Sequence, residues 1–104
     1  MEIIVIKTTA NNKETANTVA EKIINLKLAA CVQISEIASY YTWKSNVVNE
    51  KEYQISIKTI SHNFEKIANV IKQNINYDIP QIIAESVKYV DKSYEKWVLD
   101  NCVC

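Results

Sequence analysis

The feature that most restricts the fold of this 104-residue chain is its complete lack of glycine, together with a single proline. Every turn that needs a positive φ must therefore be built from other residues, among which asparagine is the most tolerant. Glycine-rich phosphate-binding loops and flexible Gly/Ser linkers are excluded for the same reason. Because the length also fits one domain, we expect a single domain over residues 1–104.

The charge composition argues against nucleic-acid and membrane partners. Twelve basic residues balance twelve acidic ones, and all of the bases are lysine. A neutral chain has no general attraction to nucleic acid or anionic lipid, and without arginine it lacks the forked donor that most phosphate sites use. No apolar run approaches the ~20 residues of a membrane span, and the first residues do not resemble a signal peptide. We therefore expect a soluble protein of the cytoplasm.

The spacing of apolar residues predicts alternating strands and helices. Strands are predicted over 3–8, 30–43, 47–60 and 82–90, which contain β-branched runs or alternate between apolar and polar residues. Helices are predicted over 13–28 and after caps at Ser61 and Asp91, because apolar residues recur there at helical spacing. This βαββαβ order with a short C-terminal helix predicts an α+β, ferredoxin-like sandwich, with both main helices on one face of an antiparallel sheet.

Three local features complete this prediction. Asn11 lies three residues before Glu14, as in a capping box at the start of the first helix. The apolar positions of the second strand change parity near Ser35, which predicts a β-bulge or bend there. Residues 44–46 are predicted to form the turn of a hairpin between the two long strands.

The predicted hairpin is the most unusual element of the chain. Its strands are longer than this small fold requires, so the hairpin should project beyond the helices. Its aromatic residues are Tyr40, Tyr41, Trp43 and Tyr53. A long strand edge that nothing covers is either an aggregation hazard or a pairing surface. We therefore predict self-association through this hairpin.

The three cysteines do not form a complete disulfide or metal framework. An odd count argues against a set of disulfides, and Cys102 with Cys104 supplies two thiolates where zinc usually takes four ligands. Cys31 lies between two apolar residues at the start of the second strand and fits a small buried hydrophobe. Cys31, Cys102 and Cys104 are the candidate metal ligands in this sequence.

The other reactive side chains indicate no catalytic centre. His62, the one histidine, is predicted at the exposed start of the second helix, and nothing near it in sequence supports a nucleophile–base pair. Glu50 and Glu52 lie two apart on a strand, hence on one face, where cross-strand lysines would make them solvated ion-pair residues. The chain is therefore predicted to be non-enzymatic, with a small hydrolase or transferase on the same fold as the alternative.

Five short motifs stand out in the chain: LAACV at 28–32, SYYTWK at 39–44, IKT at 57–59, YDIP at 77–80 and YEKW at 94–97. In their order and spacing they resemble the CutA family of divalent-cation tolerance proteins. The resemblance covers nearly the whole chain. It implies a ferredoxin-like subunit in a tight, PII-like homotrimer, in which the long hairpin of one subunit extends the sheet of the next. It also implies a link to metal tolerance, copper especially, with copper or zinc bound by some members and no established catalytic reaction.

The sequence departs from the family pattern where metal ligands are expected. The family motif His-Pro-Tyr-Asp-x-Pro-Glu has Ile75 and Gln81 here in place of its histidine and glutamate, and a cysteine position of some members is Thr8. Such side chains are poor ligands for copper or zinc, so a family-type metal site is not expected. The glycine that usually follows the hairpin tryptophan is Ser45, and we expect Asn46 to supply the tolerant φ.

The resemblance also implies an interface and a cleft between subunits. The predicted interface residues are Tyr40, Tyr41, Trp43, Tyr53 and Trp97. The predicted residues of the inter-subunit cleft are Lys58, Tyr77, Asp78, Pro80 and Gln81. Two alternatives stay open: the loop residues only set loop geometry, or the protein is a structural trimer whose ligand site has degenerated.

Overall fold

Residues 2–103, which this computed structural model describes, form a four-stranded antiparallel sheet and three α-helices. The elements are β1 (Ile3–Ala10), α1 (Lys13–Asn25), β2 (Cys31–Trp43), β3 (Asn46–Ile60), α2 (Phe64–Asn74), β4 (Ile83–Ser86) and α3 (Lys92–Asp100). A short 3-10 turn over Ser61–Asn63 leads into α2. The strand order is β2-β3-β1-β4. The predicted ferredoxin-like fold with a C-terminal helix is confirmed.

The main core lies between the sheet and the helices α1 and α2. Alternation along β1 and β3 turns Ile4, Ile6, Ile55 and Ile57 toward this side. The buried helix residues that pack against them are Ala16, Val19, Ile23, Ile67, Val70 and Ile71. Each fully buried isoleucine contributes about 2 kcal/mol relative to an exposed one, so this layer fixes the base of the hairpin.

The helix caps differ in detail from the prediction. Asn12, not Asn11, caps α1, because its side chain accepts the Thr15 amide at 2.7 Å. Ser61 begins the 3-10 turn instead of capping α2, which has no side-chain cap bond. The prediction for Asp91 is confirmed, since its carboxylate accepts two backbone amides in the first turn of α3.

Helix α1 ends at Asn25, three residues earlier than predicted. The cause is Lys27, which adopts a left-handed φ of 57°. The Lys27 amide donates to the Ile24 carbonyl at 3.0 Å, and the Leu28 amide donates to the Ile23 carbonyl at 3.1 Å. This is a Schellman motif, in which glycine usually takes the left-handed position and lysine takes it here.

The predicted β-bulge near Ser35 is wrong. β2 and β3 pair in one uninterrupted register over the whole of β2. The apolar residues of β2 lie on the core face in the first part of the strand and on the opposite face farther along, because different parts of the chain cover the two parts of the strand. Ile34 packs against the main core, whereas Ile37 lies on the other face, opposite Glu52.

The hairpin of β2 and β3 projects from the sheet, as predicted. β1 pairs with β3 only as far as Ala10 opposite Tyr53, so residues 46–52 of β3 pair with β2 alone. The described chain is accordingly elongated, with principal extents of 45 × 26 × 21 Å. Both edges of the projecting hairpin are therefore left without a neighbouring strand within the described chain.

The turn of the hairpin consists of two residues, Lys44 and Ser45. Their φ angles are 50° and 67°, and a two-residue type I′ turn requires positive φ at both positions. Asn46 pairs with Trp43 and belongs to β3. The prediction that Asn46 supplies the positive φ is therefore wrong.

Helix α3 holds the other end of the sheet through a second, smaller cluster. Ile3 and Ile60 face each other across β1 and β3 and pack against Val98 of α3. β4 is shorter than the predicted 82–90, because the chain beyond it turns toward this cluster, where Val90 packs. Within residues 2–103, no helix combines the length and the apolar character needed to cross a membrane.

Candidate functional site

A cleft of about 520 Å³ lies between the projecting hairpin and the loop of residues 75–82, which joins α2 to β4. We call it the hairpin cleft. The strands line it with Thr9, Ser39, Tyr40, Tyr41, Trp43 and Glu52. The loop lines it with Asn76, Tyr77, Asp78, Ile79 and Gln81. Its volume lies in the range of small-molecule sites in proteins.

Tyr77 fixes the loop to the hairpin through Glu52. Its ring packs against the main core, and its hydroxyl donates to Glu52 Oε2 at 2.7 Å. Glu52 is only 7% exposed, so the bond satisfies one oxygen of a buried carboxylate. Burial of the phenol, together with the hydrogen bond to Glu52, raises the pKa of Tyr77 above its ordinary value. The phenol is therefore a hydrogen-bond donor at neutral pH.

A second phenol–carboxylate pair lies farther along the hairpin. The Tyr41 hydroxyl donates to Glu50 Oε1 at 2.5 Å. Tyr41 is opposite Val48 and Glu50 is opposite Ser39, so the pair runs diagonally across the two strands. The hydrogen bond to Glu50, with smaller contributions from partial burial and from nearby negative charge, raises the pKa of Tyr41 to about 12.

The predicted role of Glu50 and Glu52 as solvated ion-pair residues is wrong. Both accept hydrogen bonds from tyrosine hydroxyls, while Lys51 between them bridges to Glu36 across the strands at 3.8 Å. The sequence does contain a signal for Glu52. Once the turn is placed at two residues, Glu52 falls opposite the apolar Ile37, and such a carboxylate needs a partner from elsewhere in the chain.

Aromatic rings form the hairpin side of the cleft. Tyr40, Tyr41 and Trp43 line it and are exposed in this chain, with Trp43 at 38%. The described residues that line the cleft include two acids, Glu52 and Asp78, and no lysine. The cleft thus combines π faces with negative charge.

The structure brings together part of the predicted ligand cleft. The predicted residues that line the hairpin cleft are Tyr77, Asp78 and Gln81. Pro80 belongs to the same loop but is not part of the lining. Lys58 lies near the far end of β3, with its ammonium nitrogen 5.9 Å from the centroid of the Tyr94 ring. A cleft shared between Lys58 of one subunit and the loop of another stays a prediction.

The predicted interface residues differ in their surroundings. Tyr40, Tyr41 and Trp43 are exposed on the hairpin, and Trp97 is exposed on α3. The Trp97 ring lies 5.6 Å from that of Tyr94, centroid to centroid. Tyr53 is half-buried and packs against the main core of its own chain. Their role at an interface stays a prediction.

The candidate cysteine ligands of the described chain lie in separate places and do not form a metal centre. Cys31 is half-buried at the start of β2. Cys102 is buried in the α3 cluster, with its sulfur 4.0 Å from Thr59 Oγ1. Cys104 lies outside the described residues. Over residues 2–103, no three histidine, cysteine, aspartate or glutamate side chains come together as a metal site requires.

The three positions where the family resemblance implies metal ligands fall in two different environments. Thr8 is fully buried on the core side of β1, opposite Ile55. Ile75 is buried in the main core at the end of α2. Only Gln81, of these three described residues, lines the hairpin cleft.

Comparison with known proteins identifies the relatives of this chain. Residues 4–101 match the family model described as "CutA1 divalent ion tolerance protein". The chain is 32% identical, over 98 residues, to the divalent-cation tolerance protein CutA of Thermus thermophilus. That alignment covers 93% of this chain and 95% of the relative.

Solved structures agree with the sequence match. The crystal structure of CutA1 from Oryza sativa superposes with a TM-score of 0.94 at 34% identity, covering 99% of this chain and 95% of that one. A structure described as the periplasmic divalent cation tolerance protein CutA from Archaeoglobus fulgidus gives a TM-score of 0.92 at 28% identity, covering 95% and 97%. The family resemblance of the sequence motifs is thereby confirmed. This chain belongs to the CutA1 divalent ion tolerance protein family.

Proposed function

We propose that this chain forms a non-enzymatic CutA-type homotrimer that acts in tolerance of divalent metals, copper in particular, or senses a small ligand. The observation that carries the proposal is the hairpin cleft, where acidic and aromatic side chains converge on about 520 Å³ beside an exposed hairpin. Its relatives are named as divalent-cation tolerance proteins, which connects the family to metal tolerance. The predicted activity is binding and a resulting change in population of states.

The trimer is supported by the exposed edges of the sheet. β2 and β4 are the edge strands, and β2 offers 13 residues to a further strand. Tyr40 and Val47 are among the most exposed apolar residues of the hairpin. Such edges favour pairing with another copy of the chain, and head-to-tail pairing that closes by rotation gives a ring.

The chemistry of the cleft supports binding more than catalysis. The hydroxyls of Tyr41 and Tyr77 donate to carboxylates, and their raised pKa values make them poor bases near neutral pH. A small hydrolase or transferase would need an activated nucleophile, which these two pairs do not provide. His62 is exposed in the 3-10 turn and is not part of the cleft lining.

A second candidate function is that of a structural trimer with a degenerate ligand site. The burial of Thr8 and Ile75 in the main core favours it, because these positions cannot present a side chain to a ligand in the cleft. The two candidates differ in whether a ligand that binds only the folded state raises stability. At 100 times its dissociation constant such a ligand adds about 2.7 kcal/mol to the free energy of unfolding.

Native mass spectrometry with and without stoichiometric Cu²⁺ or Zn²⁺ tests the proposal. The expected species is a trimer, and a monomer would contradict the assembly. A trimer that retains metal supports metal tolerance by direct binding, whereas a trimer without metal or any ligand-dependent stabilisation supports the structural alternative. If metal is retained, Cys31→Ser and Cys102→Ser, each compared with the unchanged chain, show whether the candidate cysteines hold it.

We also propose the cytoplasm as the location of the protein. An odd number of cysteines does not build a disulfide framework, which is typical of a reducing compartment. Because the Archaeoglobus relative is described as periplasmic, cell fractionation of the native protein is the appropriate measurement. Recovery outside the cytoplasm would contradict this assignment.

A further inference from the structure

We propose that the hairpin cleft binds a small organic amine in its protonated form. This inference rests on the proposed function, since it takes the cleft as the ligand site and names the chemical class of the ligand. It is carried by three features of the cleft: a buried carboxylate with one oxygen to spare, aromatic faces around it, and a lining without a lysine.

The buried carboxylate is Glu52. It lines the cleft, it is 93% buried, and only its Oε2 atom accepts a hydrogen bond, from the neutral Tyr77 hydroxyl. Among the described residues neither an ion pair nor a hydrogen bond involves Glu52 Oε1. Glu52 Oε1 keeps some contact with solvent, because the buried polar atoms without a partner in the described residues are Thr8 Oγ1 and Asn63 Oδ1. A cation with N–H donors would complement this little-exposed carboxylate better than water does.

The aromatic side chains add a second attraction for the same kind of ligand. Tyr41 and Trp43 line the cleft from β2, and the ring of Tyr77 closes it from the loop. A cation within about 6 Å of such ring faces is attracted by their quadrupoles, by roughly 0.5–2 kcal/mol per contact. Asp78 contributes a second acidic group to the lining.

No lysine of the described chain competes for this cleft. Lys51, the nearest in sequence to Glu52, bridges to Glu36 on the other face of the hairpin. Lys58 lies against the Tyr94 ring at the far end of β3. Among residues 2–103, those that line the cleft include no basic one. A positive charge beside Glu52 would therefore have to come from outside the subunit, either from a ligand or from Lys58 of a neighbouring subunit, and binding of an added amine distinguishes the two.

The size and composition of the cleft favour an organic cation over a bare metal ion. A volume of about 520 Å³ is in the range of small-molecule sites, whereas a metal ion needs three or more ligand atoms at fixed short distances. Aromatic rings contribute nothing to metal coordination but pack against a carbon chain. A primary amine also supplies the N–H donors that Glu52 Oε1 can accept.

Isothermal titration calorimetry of the intact protein with putrescine tests the proposal, with 1,4-butanediol as the uncharged probe of the same length. We expect saturable binding of putrescine with a dissociation constant below about 1 mM, weakened by added salt, and no binding of the diol. Failure of putrescine to bind, or equal binding of the diol, would overturn the proposal.

Two variants with a matched control locate the binding. Glu52→Gln keeps an oxygen that can accept the Tyr77 hydroxyl, so the fold should persist while putrescine binding weakens at least tenfold. Asp78→Asn, at an exposed position, should weaken binding about threefold. Glu65→Gln, on the exposed side of α2 and outside the lining, should leave it within twofold. Unchanged binding in Glu52→Gln would place the amine elsewhere and reject the inference.

The failure of this inference can be told apart from failure of the proposed function. A trimer that binds Cu²⁺ or Zn²⁺ but not putrescine rejects the amine and leaves the proposed function intact. A monomer that binds putrescine with the stated dependence on Glu52 supports the inference and rejects the trimer.

Discussion

The core between sheet and helices and the projecting hairpin are built from different residues for different purposes. The core is aliphatic, and its largest fully buried side chains include Ile6, Ile55 and Ile57. The projecting hairpin carries the aromatic rings of Tyr40, Tyr41 and Trp43 and two carboxylates that accept tyrosine hydroxyls. The aliphatic core thus stabilises the fold and carries no reactive groups. The hairpin carries carboxylates and aromatic rings, and the chain buries these rings only in part.

The difference leads us to expect that stability and the proposed binding depend on separate regions of this small fold. Isoleucines on alternating strand positions are buried wherever the helices cover the sheet. The hairpin extends past that cover, and Tyr40, Tyr41 and Trp43 are exposed there in the described chain. Substitutions in the core should therefore change the free energy of unfolding, and substitutions in the hairpin should change assembly and binding.

The largest expected effect is that of Ile57→Ala in the core. The side chain is fully buried, so its truncation should cost about 4 kcal/mol of unfolding free energy, through lost transfer energy and a cavity. Ile79→Ala, which removes the same atoms at a position 76% exposed, is the matched control and should change stability by less than about 0.5 kcal/mol. Urea denaturation measures both. Similar losses in the two variants would contradict the separation of core from hairpin cleft.

Trp43→Ala should have the next largest effect. We expect this effect on the assembly of subunits and not on the folding of the subunit. Trp43 is 38% exposed in the single chain, and its full burial is expected only against another subunit. Truncation should then cost on the order of 3 kcal/mol of association free energy per subunit. Native mass spectrometry should show a folded monomer. Unchanged mass and an unchanged melting temperature would show that Trp43 is not an interface residue.

Tyr77→Phe tests the bond that fixes the loop to the hairpin. Loss of the hydroxyl leaves the buried Glu52 without its one observed donor, which should cost about 2 kcal/mol of unfolding free energy. The double variant Tyr77→Phe/Glu52→Leu removes both polar partners and should recover part of that loss. Denaturation of the two variants measures the recovery. A double variant that is no more stable than Tyr77→Phe would indicate that the loss does not come from the unpaired carboxylate.

The elements of the core could be predicted from sequence because their signals are local. Alternation in β3 and helical spacing in α1 and α2 depend on residues a few positions apart. The chemistry of the cleft depends on contacts distant in sequence. Glu52 meets Tyr77, 25 positions later, and nothing near either residue indicates the other. Likewise the φ values of Lys44 and Ser45 follow from strand pairing, not from residue preference.

Ser45→Gly tests whether strand pairing imposes a positive φ that serine does not prefer. The substitution should raise the free energy of unfolding by up to about 1 kcal/mol. Ser45 holds a φ of 67°, which glycine adopts without the steric cost that a Cβ imposes. Ser35→Gly, the same substitution within regular β2, is the control and should lower stability by about 0.5–1 kcal/mol. Thermal unfolding of both variants gives the comparison. A loss of stability in Ser45→Gly would mean that the turn is not strained.

The smallest effect on stability is expected from Tyr41, whose hydrogen bond is at the surface of the hairpin. Its pKa is raised to about 12, whereas a tyrosine of the unfolded chain ionises near 10. The folded state therefore favours the protonated phenol, so the contribution of Tyr41 is complete below about pH 10 and is lost as the pH rises to about 12. An NMR titration that follows the assigned ring signals of Tyr41 should show its pKa falling toward 10 in Glu50→Gln but not in Glu65→Gln, because the Tyr41 hydroxyl donates to Glu50. A Tyr41 that titrates near 10 in the unchanged chain would mean that the hairpin does not hold this pair in solution.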